Sequence, residues 1–399
     1  MFAQAHAALG ELPAAAAGPA TEKQAPVIAH EHDAHIRPEP FFVDPVAHRQ
    51  PALSTLPVYN GRACPYPARM VARAVTTFAL LLLLSLLAVG VAVSVGSAGP
   101  GPLALWQDFW HGEGAAGELA RLLLLEVRLP RALAAFAAGG LLALNGVWMQ
   151  ALLRNPLADP YVLGVSGGAA VGALAALVLG AAGFTVASSA ALGALCATAL
   201  VFGLAHGRGA WTAERLLLTG VVVAAGTGAL VSLLLALAEE QQLRGMLFWL
   251  MGDLTLAASP WPLLVALALA IPLAVAVGRP LNVLARGELQ ARALGLAVQP
   301  LRLGLFAVTS ILTGLVVITV GSIGFVGLLV PHAMRRLLGT DHRLVGPASA
   351  LAGGALLVLA DLAARTVVAP RQLPVGALTA LLGVPWVLLV IARVRRPAG

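Results

Sequence analysis

The sequence predicts an all-α, polytopic membrane protein with about ten transmembrane helices. Hydrophobic residues make up 59% of the 399-residue chain and charged residues only 11%, whereas a soluble domain carries about 25% charged residues to cover its surface. From about residue 70 onward, apolar stretches of about 17–25 residues recur, and each is long enough to cross a hydrocarbon core as a helix. The short alternating strands of an outer-membrane barrel are not seen in the sequence. A helical bundle follows from these observations.

The chain divides into a leader and a membrane domain. Residues 1–69 are rich in Ala, Pro and His and contain no long apolar run, so we expect a disordered extension and not a signal peptide. Met70 stands immediately before the first apolar segment and offers an alternative start. Residues 70–399 form the predicted transmembrane domain. Its predicted spans are residues 71–96, 131–153, 161–183, 185–206, 215–238, 260–279, 301–320, 322–338, 344–366 and 372–392.

The distribution of basic residues predicts the orientation of these spans. The formal charge is +7, but the arginines are scattered in short segments between spans and do not form the basic patch of a nucleic-acid-binding protein. If the N-terminus is inside, and counting from Arg69 onward, fifteen arginines lie in cytoplasmic segments and six in outer ones. Because cytoplasmic loops carry the excess of Lys and Arg, we expect both termini in the cytoplasm.

The sequence gives little support for an enzyme, and we predict no catalytic residue and no metal site. The single lysine, Lys23, lies in the leader, whereas a P-loop needs a lysine after its glycines to reach the nucleotide phosphates. One alternative stays open, because Ser166 lies in a G-V-S-G string that resembles the motif of rhomboid intramembrane proteases. Such a protease needs a histidine base within hydrogen-bond reach of the serine, and His206 and His332 are the candidates.

A series of short motifs recurs along the membrane domain in a fixed order, and residues from about 70 to the end resemble the FecCD-type permeases. These are the membrane subunits of type II ATP-binding cassette (ABC) importers for ferric siderophores, haem and vitamin B12. The motifs that carry the resemblance are RLPR at 128–131, GVWMQ at 146–150, RNPLADP at 154–160, LGVSGG at 163–168, WLMG at 249–252, GE at 287–288, ALG at 293–295, GSIGFVGLLVPH at 321–332, DHR at 341–343, LAD at 359–361 and LPVG at 373–376.

The resemblance implies a transport subunit with several partners. Two permease subunits, either two copies of this chain or this chain with a related one, would form the translocation path between them in a bacterial inner membrane. Separate cytoplasmic ATPase subunits would use ATP and Mg, and a periplasmic binding protein would deliver an iron chelate or cobalamin. This chain would bind no cofactor itself, and its other contact would be membrane lipid. The sequence fits this expectation, since a chain without a P-loop needs an external ATPase to pump.

The longest predicted cytoplasmic connection, about residues 280–300, is polar and compatible with a helix. From the residues alone it could be an ordinary solvated loop. The resemblance implies that it is the coupling loop that docks into the ATPase subunits. The residues that carry this expectation are Gly287, Glu288, Ala291, Arg292, Leu294 and Gly295.

On the predicted outer side, Arg128 and Arg131 flank a Leu-Pro corner and, three residues apart at a helix start, could share a positive patch. The resemblance implies that they and Arg365 pair with acidic residues of the binding protein. The alternative is that these side chains extend to lipid headgroups.

Asp361 lies within a predicted span, where an ionisable group suggests function. A proton-coupling role would favour a secondary transporter, but Arg365 lies one turn further on, so we predict a structural ion pair. Other polar residues in or near the spans could form hydrogen bonds between helices or line the translocation path of the substrate. These are Asn145, Gln150 and Asn155, together with Thr212 and Glu214, which fall where the family has a cytoplasmic gate.

Overall fold

The structure, a computed structural model, describes residues 68–97, 101–205, 213–257 and 259–394, so the predicted leader is outside the described residues apart from its last two positions. Ten of the helices in these ranges overlap the ten predicted spans. They are α1 (Ala68–Ser94), α4 (Leu129–Leu152), α5 (Val165–Val178), α6 (Phe184–Ala205), α7 (Ala213–Leu237), α9 (Trp261–Leu284), α11 (Val298–Val320), α12 (Val326–Leu338), α13 (His342–Thr366) and α14 (Val375–Val394).

The prediction of an all-α bundle with about ten membrane helices is confirmed. Within the described ranges, seven helical segments are long and apolar enough to cross a membrane, and α5 and α14 are shorter apolar helices. The eighth predicted span, 322–338, is helical only from Val326. Gly321 and Phe325 have φ angles of 74° and 69°, a left-handed region outside the α-helical range. The chain therefore enters α12 through a non-helical segment.

Four further helices are short. Helix α10 (Glu288–Ala293) lies in the predicted coupling loop, whereas the other three were not expected from the sequence. They are α2 (Pro102–His111), α3 (Gly114–Arg121) and α8 (Glu240–Leu250). Each has few residues and mixes charged with apolar side chains, so none produces the long apolar run by which spans are recognised.

Helix α4 is the centre of the bundle and packs against α1, α9, α11, α12 and α13. Its most extensive contact is with α13, where a Cβ atom added to Gly139 would lie 2.2 Å from the carbonyl oxygen of Gly353. Helices α5 and α6 approach each other in the same way at Gly168 and Gly193. Small residues allow this backbone proximity in membrane bundles.

A π-helical segment, Leu122–Arg128, leads into α4. Pro130 explains it, because proline has no N–H group and its ring clashes with the carbonyl four residues earlier. The N–H of Leu129 bonds to the carbonyl of Leu124, five residues earlier, and this wider turn relieves the crowding. The segment sets the direction of Arg128.

The bundle has two polar ends, which we name by their short helices. At the α8 end, the last turns of α1, α11 and α13 meet the start of α4; for example, the N–H of Asp253 bonds to the carbonyl of Val320 at 2.9 Å. At the α10 end, the last turns of α4, α9 and α12 meet the first turns of α1 and α13, as in the hydrogen bond from Arg73 to the carbonyl of Leu337. Each end contains one group of predicted site residues.

Candidate functional site

Asp361 and two arginines form an ion-pair cluster at the α8 end. Nη2 of Arg131 lies 2.8 Å from Oδ1 of Asp361, and Nε of Arg365 lies 3.5 Å from Oδ2. Nε of Arg131 also donates to the carboxylate at 3.1 Å, and its Nη1 donates to Gln372 at 3.1 Å. The predicted pair of Asp361 with Arg365 is confirmed. The closer partner, Arg131, was not expected, because it lies on another helix and 230 positions away in sequence.

Arg128 and Arg365 also contact the last turn of α1. Nη1 of Arg128 donates to the carbonyls of Val93 and Ser94 at 3.2 and 2.8 Å, and Nη2 of Arg365 donates to the carbonyl of Ala92. The last carbonyls of a helix have no partner within it and carry partial negative charge, which cations stabilise. The two arginines therefore cap α1 from neighbouring elements.

The three predicted docking arginines consequently differ in exposure. Arg128 and Arg365 are each 4% exposed, whereas the side chain of Arg131 is 14% exposed and reaches the exposed Gln372. The expected shared surface patch of Arg128 and Arg131 is not formed in the single chain, because the π-helical segment directs Arg128 toward α1. Docking at Arg131 stays a prediction.

At the α10 end, Glu288 attaches the short helix to its neighbour. Its carboxylate lies 2.6 Å from Nη2 of Arg292, one turn on, and 3.0 Å from Nη2 of Arg302 in α11. The hydrogen bond from Arg302 is the largest cause that lowers the pKa of Glu288 below its usual value, against the partial burial that raises it. Glu288 therefore stays ionised, and the ion pairs persist, at neutral pH.

The two faces of α10 differ in burial. Ala291 is fully buried, whereas Leu289 is 86% exposed and, directly after the helix, Leu294 is 71% exposed. Gly287 and Gly295 adjoin the helix with φ angles of 133° and 80°, which L-residues with a side chain rarely adopt. The two glycines thus permit sharp turns into and out of α10, and its outer face presents two large apolar side chains.

Asn282, near the end of α9, joins α9 to the start of α13. Its Nδ2 donates to Oδ1 of Asp341 at 2.7 Å, while its Oδ1 accepts the backbone N–H of His342 at 2.9 Å. Nδ1 of His342 lies 2.7 Å from the same oxygen and must be the donor, since an amide oxygen only accepts. Asp341 in turn caps α13 by accepting the N–H of Arg343 at 3.0 Å. This cross-helix clamp was not predicted, because Asn282 and Asp341 lie 59 residues apart in sequence.

The polar residues of α4 join helices. Nδ2 of Asn145 donates to Oγ1 of Thr313 in α11 at 3.0 Å. Nε2 of Gln150 donates to the carbonyl of Gly327 at 3.1 Å, and its Oε1 accepts from Arg335 of α12. Of the two uses that we considered for these residues, contact between helices is confirmed.

The other predicted path residues lie elsewhere. Oδ1 of Asn155 accepts the N–H of Leu157 at 2.9 Å, so it closes the turn after α4. Thr212 lies outside the described residues, and Glu214 is known only as a backbone position in α7. The assignment of Thr212 and Glu214 to a cytoplasmic gate stays a prediction.

Among the described residues, the protease alternative finds no catalytic pair, since Nε2 of the candidate base His332 has no hydrogen-bond partner there. Oγ of Ser166 lies 2.9 Å from Oγ of Ser322, and a second hydroxyl cannot act as the base that a serine nucleophile needs. His206 lies outside the described residues. Among the residues that are described, no group of three His, Cys, Asp or Glu side chains could hold a metal ion.

Comparison with known proteins identifies the family. The model of the FecCD transport family matches residues 79–393. The hemin transport system permease protein of Yersinia pestis is 40% identical over 348 residues, covering 84% of this chain and 98% of that protein. The vitamin B12 import system permease protein of Salmonella paratyphi A is 41% identical over 288 residues, covering 70% and 86%. A solved structure of a metal-chelate type ABC transporter in an inward-facing conformation covers 80% of this chain and 99% of its own, with a TM-score of 0.68 and 31% identity. The resemblance predicted from the motifs is confirmed, and the chain belongs to the FecCD transport family.

Proposed function

We propose that this chain is the membrane-spanning permease subunit of an ABC importer. The observation that carries the proposal is the family match across nearly the whole described membrane domain, with α10 set between two spans and held by Glu288. Relatives are named as transport permeases, which favours a subunit without enzymatic activity of its own.

The proposed substrate is a bulky metal chelate, either an iron chelate such as haem or a ferric siderophore, or cobalamin. The named relatives transport hemin and vitamin B12, and a structural relative is of metal-chelate type. The metal ion is cargo in this proposal, held by the chelate and not by side chains of the permease.

The proposed assembly has two copies of the permease, two cytoplasmic ATPase subunits that use ATP and Mg, and a periplasmic binding protein. It lies in the inner membrane with both termini in the cytoplasm. This orientation is supported by the arginine excess at the α10 end and makes the α8 end periplasmic.

Coupling is proposed to occur through α10. Its exposed Leu289 and Leu294 offer apolar contact area to an ATPase subunit, and the buried Ala291 keeps the opposite face against the bundle. When ATP closes the ATPase subunits, a displacement of α10 would be passed to α11 through the pair of Glu288 with Arg302. The two bundles would then move as rigid bodies between outward-open and inward-open states.

Docking is proposed to centre on Arg131. Its guanidinium is oriented by Asp361 and extends toward the surface at Gln372, so an acidic side chain of the binding protein could approach its Nη1. Such charge pairs favour encounter rate and register more than affinity. Arg128 and Arg365 would support this site from beneath by holding the end of α1.

A secondary transporter is the remaining alternative. It would use a membrane carboxylate for proton coupling, whereas the carboxylate of Asp361 is already engaged in ion pairs with two arginines.

Uptake by reconstituted vesicles tests the proposal. The chain is reconstituted with an ABC ATPase subunit and a periplasmic binding protein from the same organism, and uptake of labelled haem, ferric siderophore and vitamin B12 is measured with and without ATP. We expect uptake of one of these that requires ATP and stops when the P-loop lysine of the ATPase subunit is replaced. Uptake that persists without ATP and follows a proton gradient would instead establish a secondary transporter.

A further inference from the structure

Two adjoining cavities lie at the α10 end of the bundle, against the first turns of α1. Each has a volume of about 320 Å³, and Ala74, Asp341 and Leu344 line both of them. The first is formed with the last turn of α12 and is lined partly by charged groups. The second is formed with α9 and α13 and is lined mainly by apolar side chains. Together they make one amphipathic groove.

The first cavity carries a surplus of positive charge. Arg73 and Arg336 line it, and Nη2 of Arg73 donates to the carbonyl of Leu337 at 3.4 Å, which brings its guanidinium next to the end of α12. A guanidinium has five N–H donors, so the bond to Leu337, which is the one that Arg73 makes among the described residues, uses only part of its capacity to bind an acceptor. The acidic lining residue, Asp341, is neutralised by Arg343, whose Nη2 lies 2.8 Å from Oδ2. The charges of Arg73 and Arg336 are therefore not balanced by Asp341.

The second cavity is lined mainly by apolar side chains of membrane-spanning helices. Val71 and Val75 of α1, Val275 of α9 and Leu344 of α13 line it. Helices α1 and α9 are both long and apolar enough to span a membrane, so a groove between them lies parallel to the lipid chains. Arg73 belongs to the first turns of α1, where a span passes from headgroups into hydrocarbon.

We propose that this groove is a binding site for an anionic phospholipid. The phosphate would lie between Arg73 and Arg336, since guanidinium groups bind phosphate oxygens through paired N–H donors. One acyl chain would lie along Val71, Val75 and Val275. Basic pockets between membrane helices are the usual binding sites for acidic headgroups. A soluble phosphate would fill only the first cavity and leave the apolar one uncovered, which is why we favour a lipid.

Native mass spectrometry of the purified full-length chain tests whether Arg73 and Arg336 bind the phosphate of the lipid headgroup. The chain is held in detergent micelles with phosphatidylglycerol or with phosphatidylcholine of the same acyl chains, and the bound lipid is counted. We expect the wild type to retain phosphatidylglycerol selectively. Each arginine near an anionic lipid contributes about fivefold in affinity, so the R73Q/R336Q variant should lose about thirtyfold. Arg121→Gln, an exposed arginine of α3 at the opposite end, is the matched control and should change retention less than twofold.

Two further arms distinguish a lipid from a soluble anion. Val275→Trp fills the apolar cavity without changing charge and should lower phosphatidylglycerol retention, while soluble glycerol phosphate should not displace the lipid. If R336Q and R73Q/R336Q behave like Arg121→Gln, the bound lipid is not held by these arginines and the proposal fails. It also fails if glycerol phosphate competes fully or Val275→Trp has no effect. Because Arg73 also bonds to Leu337, R336Q alone, with about a fivefold expected loss, serves if the double variant is unstable.

Discussion

At the scale of single residues, Asp361 balances the charge at the α8 end of the bundle. Its side chain is only 2% exposed, and it is held closely by Arg131 and more loosely by Arg365. Removing a carboxylate from water costs several kcal/mol, which attraction to a well-oriented partner offsets. Arg365 is buried as well, and the negative charge of Asp361 compensates its positive charge. One carboxylate thus stabilises two arginines.

We therefore expect Asp361→Asn to destabilise the protein by about 3–5 kcal/mol, because it leaves buried arginines without a counter-ion. Unfolding in a denaturing detergent, followed by circular dichroism, measures the change. Asp253→Asn is the control, since Asp253 only caps a short 3-10 turn by accepting the N–H of Thr255 and asparagine caps as well as aspartate. Equal stability of the two variants would contradict the role of Asp361.

The sequence predicted part of this cluster for a physical reason. Asp361 and Arg365 lie one turn apart on one helix, so their contact follows from helical geometry alone. Arg131 meets them only because α4 packs against α13 at glycine positions, and a single sequence does not contain that alignment. The same limit applies to Asn282, whose partner Asp341 lies 59 residues away.

At the scale of elements, α10 is attached to the bundle on both sides. After it, Arg302 of α11 binds Glu288 at 3.0 Å. Before it, the last turn of α9 is clamped to α13 by Asn282, which bonds to Asp341 and to the backbone of His342. A force on α10 therefore meets two fixed helices and not a flexible connection, which the proposed coupling requires.

Exchanging Asn282 and Asp341, which join α9 to α13, tests whether this attachment is needed for coupling through α10. Asn282→Asp sets a second carboxylate against Asp341, where like charges repel, so we expect uptake per ATP hydrolysed to fall several-fold while the ATPase subunits keep their basal activity. The double variant N282D/D341N restores an amide opposite a carboxylate, and asparagine at 341 can still cap α13. It should recover most of the coupling. A double variant that remains as impaired as Asn282→Asp would show that the clamp geometry is not what matters.

Long apolar elements were predictable, and short amphipathic ones were not. A membrane span is recognised in a sequence by about 20 consecutive apolar residues, and all ten predicted spans correspond to helices in the described ranges. Helices α2, α3 and α8 have 10, 8 and 11 residues, too few for a clear period. Helix α12 begins later than predicted because backbone conformation at Gly321 and Phe325, not hydropathy, decides where it starts.

At the scale of the whole molecule, the pair of α4 and α13 connects the two ends. Asp341 caps the start of helix α13 at the α10 end, and Asp361 lies on the same helix at the α8 end. Helix α13 packs along α4 through much of its length. In a membrane, helices associate through close van der Waals contact and not through the hydrophobic effect. The relative position of the docking and coupling ends therefore depends on how closely these two backbones approach.

Replacing a glycine at that contact should disturb the whole bundle. A Cβ atom at Gly139 would lie 2.2 Å from the carbonyl oxygen of Gly353 and 2.7 Å from Cβ of Leu357, so in Gly139→Ala the two helices must separate. We expect a loss of stability of about 1–3 kcal/mol, as overpacking usually causes, measured by unfolding in detergent. Gly90→Ala is the matched control, because a Cβ atom there has nothing within 4 Å and alanine favours a helix over glycine by about 1 kcal/mol. It should be neutral or stabilising. If the two variants were equally stable, close contact between α4 and α13 could not be what holds the ends of the bundle in register.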